Sequence, residues 1–168
     1  MEILKAATEW AKSEVFSTKF FILFGIIFVI ASIGFWQLAK TDLAKAYIIP
    51  TLVAGVLLMT IGIGLLYTNI TRVSSFAADY NKDASAFVKS EIVRVESTLN
   101  EYDTIVFKVI PIIIIVAALL IIFVNTPMWR AISITTIAML VVILLIDGTA
   151  YARISDYNQK LLAVEKKE

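Results

Sequence analysis

The sequence predicts an all-α integral membrane protein, a four-transmembrane-helix bundle of two antiparallel hairpins with cytoplasmic helical extensions. Three observations predict it. Of 168 residues, 60% are hydrophobic and only 17% charged, a greasier balance than a water-soluble domain carries. Four charge-poor stretches come close to the ~20 apolar residues needed to cross a hydrocarbon core. The lysines and arginines, finally, fall almost entirely on one side of those stretches.

The first span covers 20–39, a charge-free run from Phe20 to Ala39. It is too long for the apolar region of a cleaved signal peptide, and a polar, charge-balanced segment precedes it, so it reads as an uncleaved span. The second covers 46–68, between Lys45 and Arg72, with its apolar heart at Tyr47–Tyr67. Pro50 falls within its first turn or so, where proline is tolerated. The third covers 108–124, with Pro111 a turn inside it, which predicts a mild bend. The fourth covers 128–147 and has the shortest charge-free stretch, between Arg130 and Asp147; Arg130 snorkels outward and Asp147 sits near the opposite edge. Lipid offers the backbone no hydrogen-bond partner, so all four are expected to be helical. The links agree. Asn125-Thr126-Pro127 is short enough to force spans three and four side by side, with Thr126 placed to N-cap and Pro127 at the first helical position. Lys40–Lys45 joins spans one and two as briefly.

Twelve of the 15 basic residues share one side: Lys5, Lys12, Lys19, Arg72, Lys82, Lys89, Arg94, Lys108, Arg153, Lys160, Lys166 and Lys167. Only Lys40, Lys45 and Arg130 fall on the other. The positive-inside rule then places both termini in the cytoplasm, in a multi-pass protein of a cell membrane of the bacterial inner-membrane type. Aromatic residues mark the same boundaries, with Trp36, Tyr47 and Trp129 at the outer ends and Tyr67 and Tyr151 at the inner ends.

The whole chain, 1–168, reads as one membrane domain carrying a cytoplasmic helical hairpin over 72–104 and a C-terminal cytoplasmic helix over 148–168. In the hairpin, Val88, Ile92, Val95, Leu99, Tyr102 and Val106 step by four and three, a heptad-like stripe. Asn81-Lys82-Asp83 breaks the helix, with Asp83 as N-cap of the returning arm. Tyr151, Ile154, Tyr157, Leu161 and Val164 repeat the period in the tail. The N-terminal segment is patterned more weakly, by Leu4, Ala7, Ala11 and Val15 with Trp10 beside them; it fits a surface helix or an extension of span one. Arg72-Val73-Ser74 and Arg153-Ile154-Ser155 echo one another after spans two and four, as a parallel internal repeat would.

Chemistry is sparsely marked. With no cysteine and no histidine, disulfides, thiolates and imidazole acid–base work are excluded. A net charge of +1 leaves no excess cation for phosphate backbones, so no nucleic-acid partner is expected. A candidate polar site lies at the membrane edge, where Asn69 and Thr68 are placed to meet Asp147, the one acid adjoining a span. The plainer reading of Asp147 is an interfacial carboxylate at a helix end, paired with Lys19, Lys108 or Arg72, or simply solvated. Ser133, Thr135, Thr136 and Thr60 lie deeper and suit interhelical or own-backbone bonding. Gly25, Gly34, Gly55, Gly62 and Gly64 offer close helix approach. The acids Asp79, Asp83, Glu91, Glu96, Glu101 and Asp103 alternate with basic residues as on a solvated helix face, and no metal or other cofactor is expected.

These features predict a non-enzymatic membrane interaction protein, an accessory, scaffold or sensor subunit. Its interaction seam is Val88, Ile92, Val95, Leu99, Tyr157 and Leu161, and its expected partners are the lipid bilayer with a second copy or a larger membrane complex. A small oligomeric channel or transporter is the alternative, and an enzyme comes third. Few polar groups lie near the midplane of spans one to three, which tells against a coupled transporter.

Overall fold

The computed structural model describes residues 2–166, so Lys167, counted above among the basic residues of the tail, lies outside the described residues. The described residues form helices α1 (Glu2–Leu38), α2 (Asp42–Lys45), α3 (Ile48–Lys82), α4 (Ala84–Glu101), α5 (Ile110–Phe123) and α6 (Pro127–Glu165). A π-helical stretch, Tyr102–Val109, joins α4 to α5 without interruption. Four continuous helical runs are long and apolar enough to cross a membrane: Glu2–Leu38, Asp42–Lys82, Ala84–Phe123 and Pro127–Glu165. No strand occurs among the described residues.

Local chemistry accounts for most of the boundaries. Thr41 caps α2, its hydroxyl accepting the Ala44 N–H at 3.2 Å. Asp83 ends α3 with extended backbone and caps α4, its carboxylate accepting the Ala86 N–H at 2.9 Å. Thr126 holds the N-cap position of α6 but its side chain makes no capping bond, and Pro127 follows as the first helical residue. A proline there has no N–H to leave orphaned, so the missing cap costs less. Pro111 is accommodated upstream of itself. Its absent N–H leaves the Phe107 carbonyl without a helical donor, and the chain there is already in the wider π spacing, with the Ile110 N–H donating to the Ile105 carbonyl. Residues four apart then fall nearly in line, and Val106 and Ile110 are both buried.

The tightest seam is between α1 and α3. A Cβ on Gly25 would stand 2.9 Å from the Gly55 carbonyl oxygen, and one on Gly55 would stand 2.8 Å from the Gly25 carbonyl oxygen. Further along α3, a Cβ on Gly62 would meet Phe21 and Ile22 at 2.8–3.0 Å. The partner in α1 therefore falls in number as the residue in α3 rises. Backbone meets backbone at Gly25 and Gly55, so no larger residue fits without separating the helices. Gly34, Gly64 and Gly148 face open space and carry no such constraint. Farther from the termini, the Ser32 hydroxyl donates to the Ile48 carbonyl at 2.7 Å and ties the two helices again.

Two apolar cores result. The smaller, in the apolar band, joins Phe21 of α1, Leu58 of α3, and Val142 and Ile146 of α6. The larger lies where the helices run on past the band. It packs Ile3, Ala7, Trp10 and Ala11 against Phe76, against Phe87, Val88, Ile92 and Val95, and against Ile154, Tyr157 and Leu161. Residues 2–19 thus extend α1 as a stalk, and the face they bury begins at Ile3 and includes Trp10. Leu4 is only partly buried and Val15 lies at the margin. α5 packs against α6 and the π-helical stretch, and its outer face is bare, with Ile112 59% and Ile122 72% exposed. Bare isoleucines in such number suit a hydrocarbon surrounding rather than water.

Candidate functional site

Between the two cores the helices place a layer of charged and polar side chains. The α4 stripe positions its centre. Glu91 sits beside Val88, Ile92 and Val95, so it is carried into the bundle and is only 6% exposed. Its carboxylate accepts from Arg94 Nε at 2.8 Å and Nη2 at 2.6 Å, a two-pronged pair three residues apart on one helix. The Tyr157 hydroxyl of α6 donates to the same carboxylate at 3.0 Å. Burial, then the Glu91 charge and this bond, hold the Tyr157 phenol above its ordinary pKa, so it stays a donor at neutral pH. The expectation that Glu91 lies on a solvated face is therefore corrected. Its oxygens are turned inward because two donors satisfy them there.

Trp10 of α1 closes this arrangement. Its ring stacks on Tyr157, with centroids 5.2 Å apart and planes 9° from parallel, and the Arg94 guanidinium lies 4.6 Å from its centroid. The Arg72 guanidinium of α3 lies at 5.8 Å from the same ring. Arg72 donates to the Asn69 side-chain oxygen at 2.9 Å, and burial followed by the nearby charge of Arg94 lowers its pKa. Across the bundle Arg153 of α6 donates to Glu14 of α1 at 2.9 Å. The contacts between helices join partners up to 139 residues apart and no signal within a single helix marks them; the Glu91–Arg94 and Asn69–Arg72 spacings alone are local.

A cavity of about 220 Å³ opens inside this layer, lined among others by Trp10, Glu14, Asn69, Arg72, Arg94, Tyr102 and Asp147. The structure brings Asn69 and Asp147 to one cavity, while Thr68 is exposed and donates to the Gly64 carbonyl of its own helix. Asp147 is not at a helix end, since α6 continues to Glu165, and no ion pair among the described residues joins it to Lys19, Lys108 or Arg72. The expected interfacial pairing is corrected on that point. Of the seam residues, Val88, Ile92, Val95, Tyr157 and Leu161 are buried in the larger core and Leu99 packs against it, so the chain covers this stripe with its own helices.

The deeper hydroxyls differ among themselves. Thr60 donates to the carbonyl of Val56, four residues back, whereas buried Ser133 and Thr135 have no hydrogen-bond partner for their oxygens. No group of three or more acidic side chains suited to a metal ion occurs among the described residues. Compared with known proteins, the chain matches no family model, and no curated protein or solved structure matches it either.

Proposed function

We propose that the chain is a four-span membrane protein of two antiparallel hairpins, with both termini cytoplasmic, acting without catalysis as an accessory, scaffold or sensor subunit. One observation carries this reading: α1, α3 and α6 each run unbroken from the apolar band into the larger core. The two ends are thereby joined by continuous helices, the physical connection that a sensor or scaffold needs. The falling register between α3 and α1 supports the antiparallel hairpins, and the one-sided lysines and arginines support the orientation. Since the chain's own helices occupy the α4 stripe, a partner meets the opposite face, where Lys89, Val93 and Glu96 are exposed.

Orientation is tested by single cysteines, the chain having none of its own. Those at Thr41 and Thr126 are expected to react with a membrane-impermeant thiol reagent applied outside intact cells, and those at Ser85 and Gln159 only after the membrane is opened. Labelling of Ser85 from outside reverses the assignment.

The interaction reading is tested by a photo-crosslinking residue at Val93 or Glu96 in native membranes. A discrete adduct, with another protein or with a second copy, is the expected result. Adducts with nothing but lipid, or none at all, would remove the reading. The channel or transporter alternative draws support from a single feature, the charged cavity, and predicts an ion or solute flux into reconstituted vesicles that Asp147→Asn abolishes.

A further inference from the structure

The charges around the cavity do not cancel in place. Glu14 is taken by Arg153 and Arg94 by Glu91, each at 2.9 Å or less. Arg72 has a neutral partner, Asn69, and Asp147 has no ionic partner; both line the cavity, yet no ion pair among the described residues links them, and the remaining charged lining residue, Glu101, is exposed and open to water. A guanidinium with free N–H donors thus stands on α3 and a carboxylate with free lone pairs on α6, with room between them. Trp10 also lines the cavity, and its buried indole N–H has no acceptor within the chain. Elsewhere the cavity wall becomes apolar at Phe21, Leu65 and Ile146.

We propose that this cavity binds a zwitterion whose phosphate lies against Arg72 and whose primary ammonium lies against Asp147. A lone anion leaves the Asp147 carboxylate unmatched, and a lone cation leaves Arg72 so; a zwitterion answers both and adds no net charge to a partly buried site. A guanidinium suits a phosphate because its planar fork makes two parallel bonds. A primary ammonium suits Asp147 because it donates hydrogen bonds, which a trimethylated one does not. Two sources carry this chemistry: the headgroup of an ethanolamine phospholipid and soluble phosphoethanolamine. The apolar wall beside the charged one favours the lipid. That preference rests on the bilayer placement proposed above, but not on partner binding.

Trp10 reports occupancy. In a Trp36→Phe, Trp129→Phe background, both replaced side chains being exposed, Trp10 is the only tryptophan left. The full chain in maltoside micelles is titrated with short-chain phosphatidylethanolamine, phosphatidylcholine, phosphatidylglycerol and soluble phosphoethanolamine. A saturable change in Trp10 emission is expected with phosphatidylethanolamine, about tenfold tighter than with phosphatidylcholine, the factor one charge-assisted hydrogen bond supplies. Asp147→Asn removes that preference, and Arg72→Gln weakens both lipids, with helix content unchanged by circular dichroism. Comparable affinity for phosphoethanolamine identifies a soluble zwitterion as the occupant; binding of the lipid alone identifies the headgroup. Equal binding of all three lipids by the unsubstituted site, or no saturable response to either ethanolamine compound, overturns the proposal without recourse to the Asp147 and Arg72 variants; the Trp36→Phe, Trp129→Phe background is first shown by circular dichroism to keep the parent's helix content. Neither result alters the photo-crosslinking outcome, so the two readings fail separately.

Discussion

Val95→Asp is expected to open the larger core while leaving the apolar band intact. Val95 is 0% exposed, enclosed by the α1 stalk, α3 and the end of α6. An aspartate there brings a carboxylate into an apolar core, and the valine packing is lost with it. Desolvating the unpartnered group and losing the packing together cost more than about 4 kcal/mol, the range of the most damaging substitutions. The control lies two residues earlier. Val93 is 69% exposed on the same helix, and Val93→Asp is expected to change stability by no more than about 0.5 kcal/mol. Limited trypsin digestion of membrane-inserted protein distinguishes them. Lys12, Lys89 and Lys160 are exposed but held in helix; Val95→Asp loosens the helices that carry them and permits rapid cleavage there, while Val93→Asp digests like the parent. Equal digestion of the two variants would mean that α4 does not turn this face inward.

The contrast between those two valines follows from a pattern that is legible in the sequence. Apolar residues stepping by four and three specify one face of a helix, and Val88, Ile92 and Val95 lie on it whereas Val93 does not. The four long apolar helices are legible for a comparable reason, since runs without charge are rare outside lipid. Asp83 can be read as a cap because capping is local, settled within three residues. The polar layer resists such reading. Glu91 adjoins the apolar stripe, and an acid in that position is usually solvated; what buries it is the Tyr157 hydroxyl, 66 residues away. The stalk is obscure for a similar reason. Periodicity in α1 suggests a face of Leu4, Ala7, Ala11 and Val15, of which Ala7 and Ala11 are buried; that the face turns toward Ile3 and Trp10 is set by Tyr157 and Arg94, both on other helices. The occupant of the α4 stripe is equally hidden, because periodicity states that a face is covered without stating by what. The π-helical stretch is a further case: Pro111 is visible in the sequence, but the contacts of Tyr102 and Phe107 with Tyr151 of α6, within that stretch, are not.

Glu91→Ala is expected to be the most damaging change in the polar layer, and the reason is what it leaves behind. The Glu91 and Arg94 side chains are 8% and 23% exposed, so most of both charges has left water. Removing the carboxylate strands the Arg94 guanidinium near Arg72, with only the Trp10 face to stabilise it, and deprives the Tyr157 hydroxyl of its acceptor. Breaking such a pair from one side costs about 3 kcal/mol. For a chain of this size that corresponds to a fall of roughly 6–12 °C in the melting temperature in mild detergent, followed by circular dichroism. Glu91→Gln keeps a single oxygen, whose two lone pairs can accept from Tyr157 and from one Arg94 nitrogen, and should lose less than half as much. The decisive variant is the double replacement Glu91→Met, Arg94→Met, which removes both charges and refills the space with flexible apolar side chains. If the penalty of Glu91→Ala arises from an abandoned charge, the double variant recovers most of the lost stability despite having neither partner. If the double variant is as unstable as Glu91→Ala, the pair contributes through its specific geometry, with Tyr157 and Trp10 held in place by the carboxylate and guanidinium themselves.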